Sequence, residues 1–203
     1  MSFILLASRS PRRKQLLEEV GFDVRVASAD VNEHHESTDP VQIVRQLAVQ
    51  KGTQTVHAYK SLANEAAWTL SADTLVHTQE GQILGKPRDR DDARQMLEAL
   101  MGRPHYVTTG FAIFTDDDTP VAVEHHTTTV FMHEMRASAI EAYLDTDEPW
   151  DKAGAYGIQG LAGAFVSRIE GSWHAVVGLP IHDVLRSAQS NGLLVHMPWE
   201  KSR

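Results

Sequence analysis

The chain has 203 residues, 42% of them apolar, enough for one generous core or two small lobes but not for two large independent domains. Lys and Arg number 19 against 27 Asp and Glu, a net charge of -8 that argues against a broad electrostatic footprint for nucleic acid or an anionic membrane. Cys is absent, which excludes a disulfide framework and any thiolate site and fits a reducing compartment. No stretch approaches the roughly 20 apolar residues of a membrane span, and the short apolar run at the N-terminus has no basic segment before it. The expectation is a soluble cytoplasmic protein, one domain over residues 1–203 made of two dependent lobes.

The apolar run Phe3-Ile4-Leu5-Leu6-Ala7 is short enough for a buried strand, and Ser8-Arg9-Ser10-Pro11-Arg12-Arg13-Lys14 follows at once. Ser10 suits an N-cap and Pro11 the first helical position, so a strand is predicted to feed directly into a helix. The first turn of such a helix has free N–H groups and a positive dipole end, yet four cationic side chains crowd it where acids are the usual residents. That arrangement suits a bound anion, phosphate above all; a capped surface helix with solvated Arg and Lys is the alternative.

Residues 22–27 read as a second strand, and residues 30–39 as a polar loop with Asp30, Glu33, Glu36, Asp39 and the pair His34-His35. Pro40 restarts a helix that runs to about residue 59, with Val41, Val44, Leu47, Ala48 and Val56 at helical spacing and Lys51 well inside it. Residues 68–76 form a third strand, a turn at 79–82 leads into Ile83-Leu84, and Gly85-Lys86-Pro87 closes that hairpin. Residues 89–101 are a helix with acids in its first turn and Gly102 as its stop. Two β-rich runs, 106–115 and 121–132, flank Asp116-Asp117-Asp118-Thr119-Pro120 as an antiparallel hairpin, and 138–144 is a short helix. Gly154, Gly157, Gly160 and Gly163 mark a flexible or close-approach loop, 165–169 and 174–177 are expected to pair around Glu170-Gly171, and 181–189 is the last helix. The whole is an α/β protein with a mixed sheet.

Asp73 interrupts an apolar run, so it either ends a strand facing a cleft or forms an Asx turn. Glu33 reads, from spacing alone, as part of a solvated acidic loop, and Lys51 as part of a solvated helix face. Lys86, held between Gly85 and Pro87, suits a phosphate contact or a plain surface hairpin. His34-His35 and His125-His126 are adjacent pairs whose side chains diverge on extended backbone, which argues against zinc. Asp183 with His182 and Ser187 suggests a hydrolase triad, but no Gly-x-Ser-x-Gly elbow accompanies it, and a Walker A loop is also absent.

With these residues in view, the chain resembles the Maf family of nucleoside triphosphate pyrophosphatases over nearly its whole length. The likeness rests on Ala7-Ser8-Arg9-Ser10-Pro11-Arg12-Arg13, Ser71-Ala72-Asp73-Thr74, Gly85-Lys86-Pro87-Arg88-Asp89, the block from Asp151 to Gly160, and Val176-Val177-Gly178-Leu179-Pro180. Gln50-Lys51-Gly52 departs from the family pattern, which more often has an acid, the lysine and Ala.

The resemblance implies a mixed twisted central sheet flanked by helices, two lobes with a cleft between them in the manner of inosine triphosphatases, and a homodimer. It implies hydrolysis between the α and β phosphates with a divalent cation, Mg²⁺ or alternatively Mn²⁺ or Co²⁺. By that likeness Ser8, Arg12 and Arg13 hold phosphate, and Lys51 and Lys86 neutralise the pyrophosphate leaving group. Glu33 and Asp73 take the metal and manage the attacking water, with Asp73 the preferred base, and Thr74 and Gln159 fix the nucleotide. The Gly157-Ile158-Gln159-Gly160 form of the fourth block is similar to the subfamily acting on dTTP, UTP and modified pyrimidine nucleotides. The same chemistry on a purine or on a methylated nucleotide such as 7-methyl-GTP is one alternative. A non-catalytic nucleotide-binding regulator of cell division is another.

Overall fold

A computed structural model describes residues 3–200 except 34, 36 and 116, so the acidic-loop reading at Glu36, the pairing of His34 and the turn at Asp116 lie outside the described residues. The fold is mixed α/β, with helices flanking a seven-stranded sheet in the order β2-β1-β3-β5-β6-β7 and β4 paired to β3. The strands are β1 Ile4–Leu6, β2 Val24–Val26, β3 Trp68–His77, β4 Ile83–Leu84, β5 Pro104–Phe114, β6 Pro120–Met132 and β7 Val166–Glu170. The helices are α1 Pro11–Glu19, α2 Pro40–Ala58, α3 Lys60–Glu65, α4 Arg90–Leu100, α5 Ala137–Leu144, α6 Trp173–Val177 and α7 Ile181–Ser190. No helix among the described residues is long and apolar enough to cross a membrane. The chain divides into two compact units, the first Met1–Asp73, Thr109–His126 and Gly178–Arg203, the second Thr74–Thr108 and Thr127–Val177.

In the first unit β1 lies between β2 and β3, parallel to both, with Ile4 opposite Val24 on one side and Trp68 on the other. A parallel strand with neighbours on both edges and cover on both faces needs an unbroken apolar run, and Phe3 to Ala7 are all buried. Ser10 caps α1, its side chain accepting from the Arg13 N–H, with Pro11 in the first turn and no acid there. Asp39 does the same for α2, accepting from Val41 N at 3.0 Å ahead of Pro40. Helix α3, absent from the sequence reading, follows α2 after one non-helical residue, Tyr59 (φ -122, ψ 41), and has no side-chain cap to announce it.

The face of α2 turned toward β3 is made of small residues. Ala48 and Gly52 are buried there, and the Ser71 hydroxyl donates to the Ala48 carbonyl at 2.7 Å. A Cβ at position 52 would overlap the Phe114 ring and stand 2.8 Å from Ser71 Oγ, so glycine at 52 makes room for Phe114.

The second unit has its own core. Ala93, Met96, Leu97 and Leu100 of α4 pack with Val76, Val107, Val130, Ile140, Tyr143 and Tyr156. The spacing of those α4 residues puts them on one stripe, as the sequence pattern requires. Inside this core the fully buried His105 meets the Tyr156 hydroxyl at 2.8 Å through Nε2, the two rings edge to face. Desolvation, with a smaller contribution from His77, pushes the His105 imidazole down to about 4.

One expectation fails here. Residues 174–177 are not a strand partnered by 165–169: β7 pairs antiparallel with β6, Val130 opposite Ile169, and 173–177 are helical. The reason is local capping. Ser172 Oγ accepts from Ala175 N at 3.2 Å and its carbonyl from Val176 N at 3.2 Å, which outweighs the β preference of Val176 and Val177. The glycine-rich segment takes the close-approach form of the two expected, with short 3₁₀ turns at Pro149–Asp151, Ala153–Ala155 and Leu161–Phe165 and neighbouring atoms pressed against Gly154, Gly157, Gly160 and Gly163.

Gly52→Ala is expected to destabilise the protein by about 1–3 kcal/mol, the usual cost of overpacking. In a Phe114→Leu background the same change should cost less, and equal penalties in a urea-unfolding cycle would refute the clash. The folded His105 resists a proton that the unfolded chain takes up from pH 6.5 downward. Stability should therefore be full above pH 6.5 and fall between 6.5 and about 4, by roughly 3 kcal/mol. A His105→Phe variant should lose that part of the pH slope in urea titrations at pH 7, 5.5 and 4.

Candidate active site

Strand alternation puts Ser71 and Asp73 on the same face of β3, the face that α2 covers. Ser71 takes the Ala48 carbonyl, and Lys51, one helical turn further, reaches Asp73: its Nζ donates to Oδ1 at 2.6 Å. The same Nζ lies 2.7 Å from Glu33 Oε1. Glu33 is brought there by the loop after β2, whose Ala29 N–H donates to Thr55 Oγ1 at 3.2 Å, and Thr55 sits one turn beyond Lys51 on α2. Two carboxylates from separate parts of the chain thus meet on one ammonium. Exposure separates them: the Asp73 and Lys51 side chains are 10% and 19% exposed, Glu33 58%.

Arg13 stands beside this group. Its Nη1 donates to the Ala72 carbonyl at 2.7 Å and to Ser8 Oγ at 3.0 Å, and its Nε to the Gly178 carbonyl at 2.8 Å. The sequence left open solvated cations at this helix start, but three acceptors hold the Arg13 guanidinium in a fixed plane. Desolvation lowers its pKa, opposed by the Asp73 charge, with Arg12 adding to the lowering and Glu33 opposing it. Ser8 is buried at 6% exposure and its Oγ also accepts from Ser10 N at 3.2 Å, so its hydroxyl shapes the turn. Arg12 is half-buried in the first turn of α1, and Arg9 pairs with Asp30 across the adjacent loop.

The first unit therefore gathers Ser8, Arg12, Arg13, Glu33, Lys51 and Asp73. The other three sequence candidates belong to the second unit. Thr74 follows Asp73 on β3 with its side chain on the opposite face. Lys86 is exposed directly after β4, and its backbone is steadied where the Gly85 carbonyl accepts from Gly154 N at 3.0 Å. Gln159 is exposed at the tip of a turn closed by Gly160 N donating to the Gly157 carbonyl at 3.1 Å. Thr55, Ser71 and Gly178, which build the site without being candidates, were not picked out for that role; Ser71 and Gly178 at least stand inside the motif blocks.

The triad expectation is answered as well. Asp183 pairs with His126, Nδ1 to Oδ2 at 2.7 Å, while His182 is exposed and Ser187 buried, so no nucleophile is activated there. Among the described residues no group of three or more His, Asp or Glu gathers as a metal site. Two converging carboxylates are nonetheless the protein share that Mg²⁺ usually takes when phosphate oxygens supply the rest. The donor set therefore fits a divalent ion that arrives with a polyphosphate.

The Maf-like protein family model matches residues 3–190. A dTTP/UTP pyrophosphatase from Citrifermentans bemidjiense is 45% identical over 194 residues, 95% of this chain and 97% of that protein. Proteins of the same name from Aliivibrio fischeri and a Geobacillus species are 44% and 40% identical, covering 88% and 95% of this chain and 92% and 100% of theirs. Among solved structures, a HAM1 protein from Coxiella burnetii aligns with 65% of this chain and 73% of its own at 15% identity and a TM-score of 0.41. With a family model matching residues 3–190 and relatives 45% and 44% identical over 95% and 88% of its length, the chain belongs to the Maf-like protein family.

Proposed function

We propose that this protein is a nucleoside triphosphate pyrophosphatase that cleaves dTTP and UTP, and modified pyrimidine nucleotides, to the monophosphate and pyrophosphate. The observation that carries the reading is the convergence of Glu33 and Asp73 on Lys51 beside the fixed Arg13 guanidinium. The names of the relatives support the substrate class.

Water attacks the α-phosphorus, the bond from it to the bridging oxygen breaks, and pyrophosphate leaves with the bonding pair. In this reading Asp73 accepts the proton of that water, an assignment supported by the anchoring of its carboxylate through Oδ1 by Lys51 and by the Arg13 charge beside it. Arg12 and Arg13, with the N-terminus of α1, hold the phosphates, and Lys51 offsets negative charge as it grows on the leaving group. A divalent ion on Glu33 and Asp73, Mg²⁺ or alternatively Mn²⁺ or Co²⁺, would neutralise phosphate charge and lower the pKa of water. Lys86 and Gln159 are assigned to the leaving group and to the base edge, and Thr74 to fixing the nucleotide, on the family likeness. A homodimer and a cytoplasmic location complete the proposal.

Asp73→Asn keeps the size and the Lys51 contact while removing the proton acceptor. Turnover of dTTP should fall by about 10² or more with nucleotide binding retained, since general-base catalysis contributes on that scale. Pyrophosphate release measured for dTTP, UTP, dGTP and ATP, with Mg²⁺ and with EDTA, tests both points. Unchanged turnover in the variant sinks the base assignment, and equal rates on purines sink the pyrimidine preference. Lys51→Ala should cost about 3 kcal/mol of transition-state stabilisation, a drop near 10² in kcat.

A further inference from the structure

The turn that carries Gln159 is organised by an acid outside the motif blocks, Glu148, and both belong to the second unit. Its Oε2 accepts from Leu161 N at 2.6 Å and its Oε1 from Ala162 N at 3.1 Å, while the Tyr143 hydroxyl donates to Oε1 at 3.0 Å. The peptide carbonyl of Glu148 is engaged too, accepting from Lys152 Nζ at 2.7 Å. The turn is pressed onto these two side chains. A Cβ at Gly160 would overlap the Glu148 carboxylate, and one at Gly157 would stand 2.7 Å from Lys152 Cε. The glycines flanking Ile158 and Gln159 are therefore set one against Lys152 and the other against the Glu148 carboxylate.

We propose that Glu148 is a positioning residue for base recognition, fixing the turn 157–162 and through it the direction in which Gln159 presents its amide. The inference rests on the reading of Gln159 as the base-contacting residue. A carboxylate is required at 148 because both oxygens must accept; an amide would turn an NH₂ toward a backbone N–H. Here each oxygen meets a peptide N–H two to three residues beyond Gln159, so any movement of the carboxylate moves the turn.

The test measures kcat and KM for dTTP and dGTP in the wild type, Glu148→Gln, Gln159→Ala and the double variant. Glu148→Gln should raise KM for dTTP more than it lowers kcat, and reduce the dTTP-to-dGTP ratio of kcat/KM by about tenfold, the worth of one hydrogen bond to a charged acceptor. Because Glu148 acts through Gln159, adding Glu148→Gln to Gln159→Ala should reduce the ratio no further. If Gln159→Ala loses discrimination while Glu148→Gln keeps it, the positioning role is overturned and the base-reading assignment stands. If Gln159→Ala keeps discrimination, the base-reading assignment itself fails and the positioning role falls with it. Should Glu148→Gln fail to fold, Tyr143→Phe, which removes one donor to the same carboxylate, replaces it: a reduced ratio supports the proposal and an unchanged ratio overturns it.

Discussion

The candidate site depends on one lysine between two carboxylates. Lys51 lies mid-helix, where a long cationic side chain would ordinarily extend into water, and it is held back because Ala48 and Gly52 let α2 lie close against β3. The two ion pairs differ in weight. Lys51 with Asp73 is largely shielded, so removing either partner would leave an uncompensated charge in a poor solvent, a situation that costs about 3–5 kcal/mol when fully buried. Lys51 with Glu33 is open to water and salt on the acid side and holds weakly. The site therefore combines a shielded carboxylate on a strand with a loosely held one on a loop.

The strand, cap and helix at residues 3–19 were legible because every signal for them is local. An unbroken apolar run, a serine and a proline at fixed offsets determine the geometry with little help from the rest of the chain. Asp73 could be singled out for a related reason, since a charge in an apolar run must be explained. Glu33 and Lys51 could not. Their partners are separated by 18 and 22 positions, and what joins them is the Ala29 to Thr55 bond and the Ser71 to Ala48 bond, neither of which leaves a pattern in sequence. The family likeness supplied these two residues where spacing favoured solvated surface.

The strand expected at residues 174–177 failed for the opposite reason, a local signal read incompletely. Val176 and Val177 carry strand propensity, but Ser172 supplies two bonds to the following turn and is itself tied to Thr128, N to Oγ1 at 3.0 Å, so a helix start is fixed before the valines are reached. Propensity worth tenths of a kcal/mol per residue loses to a cap worth about one.

Glu148 shows why proximity to a motif is a poor guide to chemistry. It stands three residues before the block Asp151 to Gly160 and could be taken for a second catalytic acid. Both of its oxygens, however, accept peptide N–H groups and one also takes the Tyr143 hydroxyl, so its carboxylate is taken up in holding the turn together. Tyr143 in turn is kept firmly protonated, chiefly by burial and then by the Glu148 charge, and remains a donor at every pH the protein meets. Asp73, the proton acceptor proposed above, is held differently, by the side-chain ammonium of Lys51 at Oδ1 and not by peptide N–H groups. A carboxylate whose two oxygens both take peptide donors is suited to positioning a neighbour.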